Sequence, residues 1–280
     1  MKKLFLFVVF VLSFTNLFAQ SENLIVMTYN IRCVYCEDSS SVNHWSKRKY
    51  LVAYLIKNHN PDLIGLQEAE LFQIKDLVEM LNDYNWIGVG REDGKERGEA
   101  AAILFRKSRF NLEEEKTLWL SETPEIVSKG WDAALNRTVT IVKFKEKISS
   151  KEFYMFNTHF DHIGEKARTE SSKLIIAEIL KVQKNLPVIL TGDFNYKSNA
   201  EGYKHITANL LDADRITKNQ STGGNITFNG FGKDIETDNK IDFIFVNDKI
   251  NILNHNIDTT TYNGLYPSDH YSVDAEMIFK

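Results

Sequence analysis

Several features are missing or scarce in this chain. No Pro/Gly/Ser-rich stretch, low-complexity segment or internal repeat occurs in its 280 residues. The length allows one large α/β or all-β domain or two small ones, with ample chain for a core; nothing marks a linker, which favours one domain. Positive charge is not in excess: 34 Lys and Arg stand against 38 Asp and Glu. No general field draws such a chain onto polyphosphate, and a nucleic-acid substrate would need a local basic rim. There are two cysteines, Cys33 and Cys36. This CxxC offers too few ligands for structural zinc, leaving a small disulfide or two idle thiols as open alternatives. Long apolar runs are absent after the first 20 residues.

The N-terminus is different. Lys2 and Lys3 precede a nearly unbroken apolar run from Leu4 to Phe14, and Leu17-Phe18-Ala19 ends in a small residue before Gln20. This is the pattern of a secretory signal peptide cut after Ala19. The apolar core is too short to span a membrane comfortably, and no cysteine follows the cut to take a lipid. The expectation is a leader over 1–19, a mature domain over 20–280, and an exported protein, periplasmic or secreted, with no transmembrane anchor. Loss of the two lysines makes the mature chain more acidic still.

Apolar spacing predicts strands at Leu24 to Asn30, Asp62 to Gln67, Thr138 to Phe144, Phe153 to Thr158, Val188 to Thr191, Ile241 to Val246 and Val273 to Phe279. Trp86 to Val89 and Ala101 to Phe105 read as strands around the charged loop Arg91 to Glu99. A helix capped by Ser46 should run to about His59 with Leu51, Tyr54 and Leu55 on one face. Leu71, Ile74, Leu77, Val78 and Leu81 mark a second helix. Lys166 to Lys184 marks a third, with Leu174, Ile175, Ile179 and Val182 inward. Two packed sheets with helices outside would bury this set.

Polar residues gather at the strand ends. Asn30 closes the first strand and Glu68 follows the second, where it offers an oxygen of the hardness Mg²⁺ requires. His159 closes another. Asp193 and Asn195 lie in Gly192-Asp193-Phe194-Asn195 after an apolar run, and Asp269-His270 ends a less clean run from Ile257 to Tyr266. Asp242 sits between apolar residues, where burial is costly without a partner, and a histidine is the natural one. Singly, each reads as a turn residue or a solvated charge. Together, nearly all at strand ends of one chain, they are hard to explain as turns and solvated charges.

The ordered series TYNIR, LQEAE, NTHFDH, LTGDFN, KIDFIF and PSDH resembles the endonuclease/exonuclease/phosphatase superfamily over about Leu24 to Phe279. That superfamily includes deoxyribonuclease I, exonuclease III-type nucleases, neutral sphingomyelinases, inositol polyphosphate 5-phosphatases and deadenylases. The resemblance implies an α/β fold, a four-layer αββα sandwich of two mixed sheets with outer helices, and metal-assisted phosphoester hydrolysis. It implies Glu68 as the main Mg²⁺ (or Mn²⁺) ligand, with Asn30 and Asp269 near the ion. Asp193 would orient or deprotonate water, and Asn195 and His159 would hold phosphoryl oxygens. His270, paired with Asp242, would act as acid, base or electrostatic stabiliser. Arg137 and, less clearly, Arg32 could clamp substrate phosphate. Trp119 and Trp131 could form a stacking rim, and Asp161 and His162 could shape the pocket or hold a second ion. The aromatic-Asp-Arg signature of the inositol phosphatases is absent at Ile241-Asp242-Phe243, as is the basic insertion of the repair nucleases. The substrate expected is a nucleic acid, nucleotide, lipid headgroup or sugar phosphate, and the acidic balance favours a small one. No stable protein partner is implied. The alternative is a catalytically silent protein that binds phosphate or a lipid headgroup in the same cleft, although every expected catalytic position is filled.

Overall fold

The first strand, β1 (Leu24–Asn30), shows why the chain forms layers. Successive side chains of a strand point to opposite faces. Leu24 and Val26 enter one apolar core, while Met27 and Tyr29 enter another. A strand apolar on both faces must be covered on both. The computed structural model, which describes residues 23–182, 185–233 and 237–280, provides that cover. The expected leader and its cut after Ala19 lie outside the described residues.

The elements follow in chain order: β1, α1 (Trp45–His59), β2 (Leu63–Gln67), β3 (Ala69–Glu70), α2 (Leu71–Met80), β4 (Tyr84–Ile87), β5 (Glu99–Ala100), β6 (Ile103–Arg106) and β7 (Phe110–Trp119). Then come β8 (Thr138–Glu146), β9 (Glu152–His159), α3 (Glu165–Val182), β10 (Val188–Asp193), α4 (Glu201–Thr207), β11 (Leu211–Asp212) and α5 (Ala213–Ile216). β12 (Asp242–Val246), β13 (Ile250–Asp258) and β14 (Ser272–Phe279) complete the chain. One sheet has the order β13-β14-β1-β2-β6-β4, and the other β11-β12-β10-β9-β8-β7. Both are mixed: β1 pairs β2 and β9 pairs β10 in parallel, and their other neighbours are antiparallel. Val26, Leu63, Phe144, Met155, Ile189 and Ile244 fill the core between the sheets. Helices α1 and α2 cover the outer face of the first sheet, and α3 and α4 that of the second. This is the αββα sandwich.

Several boundaries differ from the sequence reading. The N-cap of α1 is His44, whose ring accepts from the Ser46 backbone N–H, so Ser46 lies inside the helix. Leu55 faces inward as expected, but Tyr54 is 52% exposed, and Val52 and Ile56 complete the inward face. The expected strand at Trp86 begins two residues earlier, and the end expected for α3 at Lys184 lies outside the described residues. The Glu113-Glu114-Glu115-Lys116 segment conceals β7, an edge strand with an exposed middle; charge on an edge opposes pairing with other chains. The run Ile257 to Tyr266 is no strand: β13 ends at Asp258, and a loop carries Asp269 and His270 to the start of β14.

Candidate active site

Strand alternation builds the site. The inward positions of β9 are Phe153, Met155, Asn157 and His159, and those of β10 are Ile189, Thr191 and Asp193. Each series passes from apolar to polar toward one end of the sandwich. The polar residues first form a buried layer. Gln67 Nε2 donates to Thr28 Oγ1 at 3.0 Å and to Asn157 Oδ1 at 2.7 Å. Thr191 Oγ1 donates to the same Asn157 oxygen at 2.9 Å, and Asn157 Nδ2 donates to the carbonyls of Leu66 and Ala102. The sheets approach closely here. A Cβ on Gly65 would lie 2.3 Å from Thr191 Oγ1 and 2.4 Å from Asn157 Oδ1, so only glycine fits.

Above this layer, Asp193 is in register with His159 on one side and with Asp242 on the other. Asp242 begins β12 rather than ending a strand; because β12 is antiparallel to β10, its start meets the end of β10. His270 Nδ1 lies 2.9 Å from Asp242 Oδ2, and its Nε2 is 3.8 Å from Asp193 Oδ2. Asn30 Nδ2 bridges two carboxylates, donating to Asp193 Oδ2 at 2.9 Å and to Glu68 Oε1 at 3.1 Å. The Asn195 backbone N–H donates to Asp193 Oδ1, and its side-chain Nδ2 lies 3.2 Å from His159 Nε2. Glu68 and Asn195 have φ of 56° and 50°, a conformation that costs a side-chain-bearing residue free energy and recurs at functional positions. All eight expected catalytic and metal residues therefore meet at one end of the molecule. Glu68, His159, Asp193, Asn195 and His270 line a cleft of about 430 Å³, and the buried Asn30 and Asp242 hydrogen-bond to these lining residues.

The charge states follow from this packing. Burial raises the Asp193 pKa, the neighbouring Asp242 raises it further, and it is pushed up to about 7 although His270 and Asn30 oppose the rise. Burial disfavours the His270 cation, but Asp242, Asp193 and Asp269 outweigh this and raise its pKa to about 10. His159 moves the other way: burial, then Arg137 and Arg91, hold it well below its ordinary value, so its ring is neutral. Burial opposes ionisation of Glu68, yet His270, the Cys33 N–H, Arg32 and Asn30 together keep its pKa below the ordinary value.

The donor chemistry fits a hard divalent cation on the Glu68 side. Glu68 and Asp269 are oxygen ligands, and Arg32 Nη1 already lies 4.0 Å from Glu68 Oε2 and 3.2 Å from Asp269 Oδ2. This corner therefore accommodates positive charge. Asp193, Asp242 and His270 also lie close enough together to suggest a metal site.

The expected substrate residues divide. Arg32 lines the cleft, with its guanidinium on Asp269 and Glu37. Arg137 is 4% exposed and lines the cleft wall. Its Nε contacts Asp161 at 3.3 Å and its Nη2 contacts His162 Nδ1 at 3.0 Å, but its buried Nη1 has no hydrogen-bond partner. The Asp161 carboxylate accepts from the backbone N–H groups of Ala134, Leu135, Ile163 and Gly164. It is thus an anchor for Arg137 rather than a ligand awaiting a second ion. Trp119 forms no stacking rim: it is 6% exposed and donates through Nε1 to the Arg91 carbonyl. The Trp131 backbone N–H donates to Glu122, and its side chain is not part of the cleft lining. Arg91 is buried in a bidentate pair with Glu99 and Arg97 pairs with Asp93, so that loop adds less free positive charge than its sequence suggests.

Sequence reasoning missed four contributors. Asn157 could have been found, because it lies two residues before His159 and so on the same face. Gln67, adjacent to Glu68, was visible but unassigned. Glu99 enters the cleft from the two-stranded sheet β3–β5, and Arg48, 1% exposed, binds the carbonyls of Ile31, Arg32 and Pro267. Neither of these has a local signature.

Residues 27–270 match the Endonuclease/Exonuclease/phosphatase family. An endonuclease/exonuclease/phosphatase of Bacteroides vulgatus superposes with a TM-score of 0.88 at 37% identity, over 92% of this chain and 99% of that one. A mannosyl-6-phosphatase of Bacteroides thetaiotaomicron superposes with a TM-score of 0.86 at 39% identity, over 91% of this chain and all of that one. An uncharacterized protein of Acanthamoeba polyphaga mimivirus is 31% identical over 179 residues, covering 61% of this chain and 66% of its own length. Drosophila melanogaster Nocturnin is 25% identical over 183 residues, covering 61% of this chain and 27% of its own length. The chain thus spans less than two thirds of either curated relative.

Proposed function

Because the chain belongs to the endonuclease/exonuclease/phosphatase family, we propose that it is an exported, divalent-cation-dependent phosphoesterase that removes the phosphate of a small phosphorylated sugar. The observation that carries this reading is Arg137. Its unpartnered Nη1 is a buried cationic donor on the cleft wall, fixed by Asp161 and His162. A buried donor without a partner is costly, and a phosphate oxygen would satisfy it with a charge-assisted hydrogen bond. The acidic net charge and the engagement of Arg32, Arg91 and Arg97 with carboxylates support a substrate with one phosphate over a polyphosphate. Similarity to the mannosyl-6-phosphatase supports a sugar phosphate in particular.

Glu68 and Asp269, with Asn30 beside them, would hold Mg²⁺ or Mn²⁺. Once bound, the ion would neutralise charge on a phosphoryl oxygen. The protein's own groups have distinct roles. Asp193, with its pKa pushed up to about 7, is suited to take a proton from water near neutral pH. Asn195 Nδ2 and the neutral His159 ring lie together on the cleft wall and would orient phosphoryl oxygens. The charged His270, held by Asp242, supplies a fixed positive centre beside Asp193.

The test is hydrolysis by the mature protein of mannose 6-phosphate and other sugar phosphates, bis-p-nitrophenyl phosphate, sphingomyelin, RNA and duplex DNA, with Mg²⁺ and with Mn²⁺. Preferred turnover of a sugar phosphate is expected. Efficient cleavage of DNA or RNA with none of the sugars would overturn the substrate assignment. Absence of turnover on every substrate would favour a silent binding protein. Export is tested by N-terminal sequencing of protein expressed with its own leader: Gln20 is expected first, and a retained Met1 would refute it.

A further inference from the structure

The Cys33–Cys36 disulfide lies against Glu68. The Cys33 backbone N–H donates to Glu68 Oε2 at 3.0 Å, and Cys36 Sγ lies 4.0 Å from the same oxygen. Cys36 is exposed and forms part of the cleft lining, so a small reductant can reach it from solvent. One atom from each of Cys33, Cys36 and Glu68 lies within 4.8 Å of the others. Once the S–S bond is broken the two sulfurs can separate to flank one tetrahedral ion, because Zn²⁺ takes thiolates at about 2.3 Å and carboxylate oxygens at about 2.0–2.2 Å. While the disulfide is closed its sulfurs carry no thiolate charge, and Glu68 Oε2 accepts from the Cys33 N–H, with Arg32 Nη1 4.0 Å away.

We propose that reduction of Cys33–Cys36 opens a second metal site at this corner of the cleft, one for a thiophilic divalent cation such as Zn²⁺, with Cys33 Sγ, Cys36 Sγ and Glu68 Oε2 as ligands. The reductant is a two-electron donor of the dithiol or phosphine class. With a phosphine, the S–S bond breaks, phosphorus is oxidised to the phosphine oxide with oxygen from water, and the two water protons go to the thiols. Binding then forms two metal–sulfur bonds and one metal–oxygen bond and releases the two thiol protons to solvent. The site is distinct in chemistry from the oxygen-rich Glu68–Asp269 side, because soft thiolates select Zn²⁺ over Mg²⁺. The two sites share Glu68, so the thiophilic ion should inhibit the reduced protein and spare the oxidised one. That inhibition rests on the role proposed for Glu68 in hydrolysis. The binding does not.

Binding is measured first, with Cd²⁺ as the probe, by the thiolate-to-cadmium charge-transfer absorption. The full mature chain is titrated oxidised, after phosphine reduction, and as reduced Cys33→Ser, Cys36→Ser and Glu68→Gln variants, each with a thermal melt. The band should appear only on reduction and vanish in either serine variant. Glu68→Gln should keep sulfur absorption but weaken affinity by at least the roughly 10–100-fold that loss of a supporting partner costs a metal site. A reduced chain without the band, or a Cys36→Ser variant that retains it, would overturn the proposal. So would equal affinity in Glu68→Gln, the result expected if cadmium merely meets two thiols on a locally unfolded segment.

Discussion

Asp193 lies opposite Asp242 in the antiparallel pairing of β10 and β12, with both side chains buried at the end of the inter-sheet core. Burying two carboxylates side by side is costly unless a cation compensates them. His270 is that cation: it hydrogen-bonds Asp242 and lies 3.8 Å from Asp193. Asp242→Asn should therefore lower the His270 pKa from about 10 toward its ordinary value. Imidazole titration by NMR would measure this, and an unchanged His270 pKa would disprove the coupling.

The activity should rise with pH through about 7. Asp193 can accept a proton only when ionised, and its pKa is pushed up to about that value. The base is thus lost as pH falls through 7. Asp193→Asn should remove this limb of the kcat/KM profile and cost about 10²–10⁴-fold in turnover while leaving the thermal melt intact. A profile with the same limb in the variant would assign it to another group.

Glu68→Gln keeps the shape of the side chain and removes its charge. It should raise the Mg²⁺ concentration needed for half-maximal turnover, and excess EDTA should abolish turnover of the unaltered protein. Undiminished turnover in EDTA would count against the cation requirement. The disulfide is formed in both proteins, so this result does not depend on the thiophilic site.

How much of this was legible in sequence depends on whether the signal is local. Strand alternation announces Asn30, His159 and Asp193, because an apolar series that turns polar at its last inward position is visible without coordinates. Asp242 was legible for a different reason, since a carboxylate among Ile241, Phe243 and Ile244 demands a partner. The Arg137 anchor was not. Asp161 accepts four backbone hydrogen bonds, and two of them exist only after the distant loop at Ala134 and Leu135 folds over it. Trp119 misled for a similar reason: its ring is covered by the loop near Gly94, whose added Cβ would lie 3.1 Å from the indole. The β7 edge was hidden because an exposed edge carries the charge pattern of a loop.

Arg137→Ala should lower kcat/KM on a sugar phosphate by about 1.5–3 kcal/mol, roughly 10- to 150-fold, the cost of a hydrogen bond to a charged group. Arg137→Lys should not restore it, because a single ammonium cannot contact Asp161, His162 and a phosphate oxygen together. Since removing one partner of a buried pair also destabilises, the melt of Asp161→Asn serves as the comparison. If Arg137→Ala loses stability but keeps kcat/KM in its folded fraction, the arginine is structural only.

A last prediction concerns stability away from the cleft. His59, in the last turn of α1, lies between two carboxylates: Nε2 is 2.8 Å from Asp258 and Nδ1 is 2.8 Å from Asp274. The hydrogen bond with Asp258, then that with Asp274, raises its pKa to about 10 against the opposing effect of burial. In the unfolded chain the same ring titrates near 6.5. A group whose folded pKa is raised binds its proton more tightly in the native state, so its contribution is complete below about pH 6.5 and is lost as pH rises through about 10. His59→Asn removes the cation that joins α1 to β13 and β14 and leaves Asp258 and Asp274 facing each other. The Tm gap between the unaltered protein and this variant should be widest at about pH 6 and should narrow steadily toward about pH 10. A gap independent of pH over that range would mean that His59 acts through packing, with no charge on its ring.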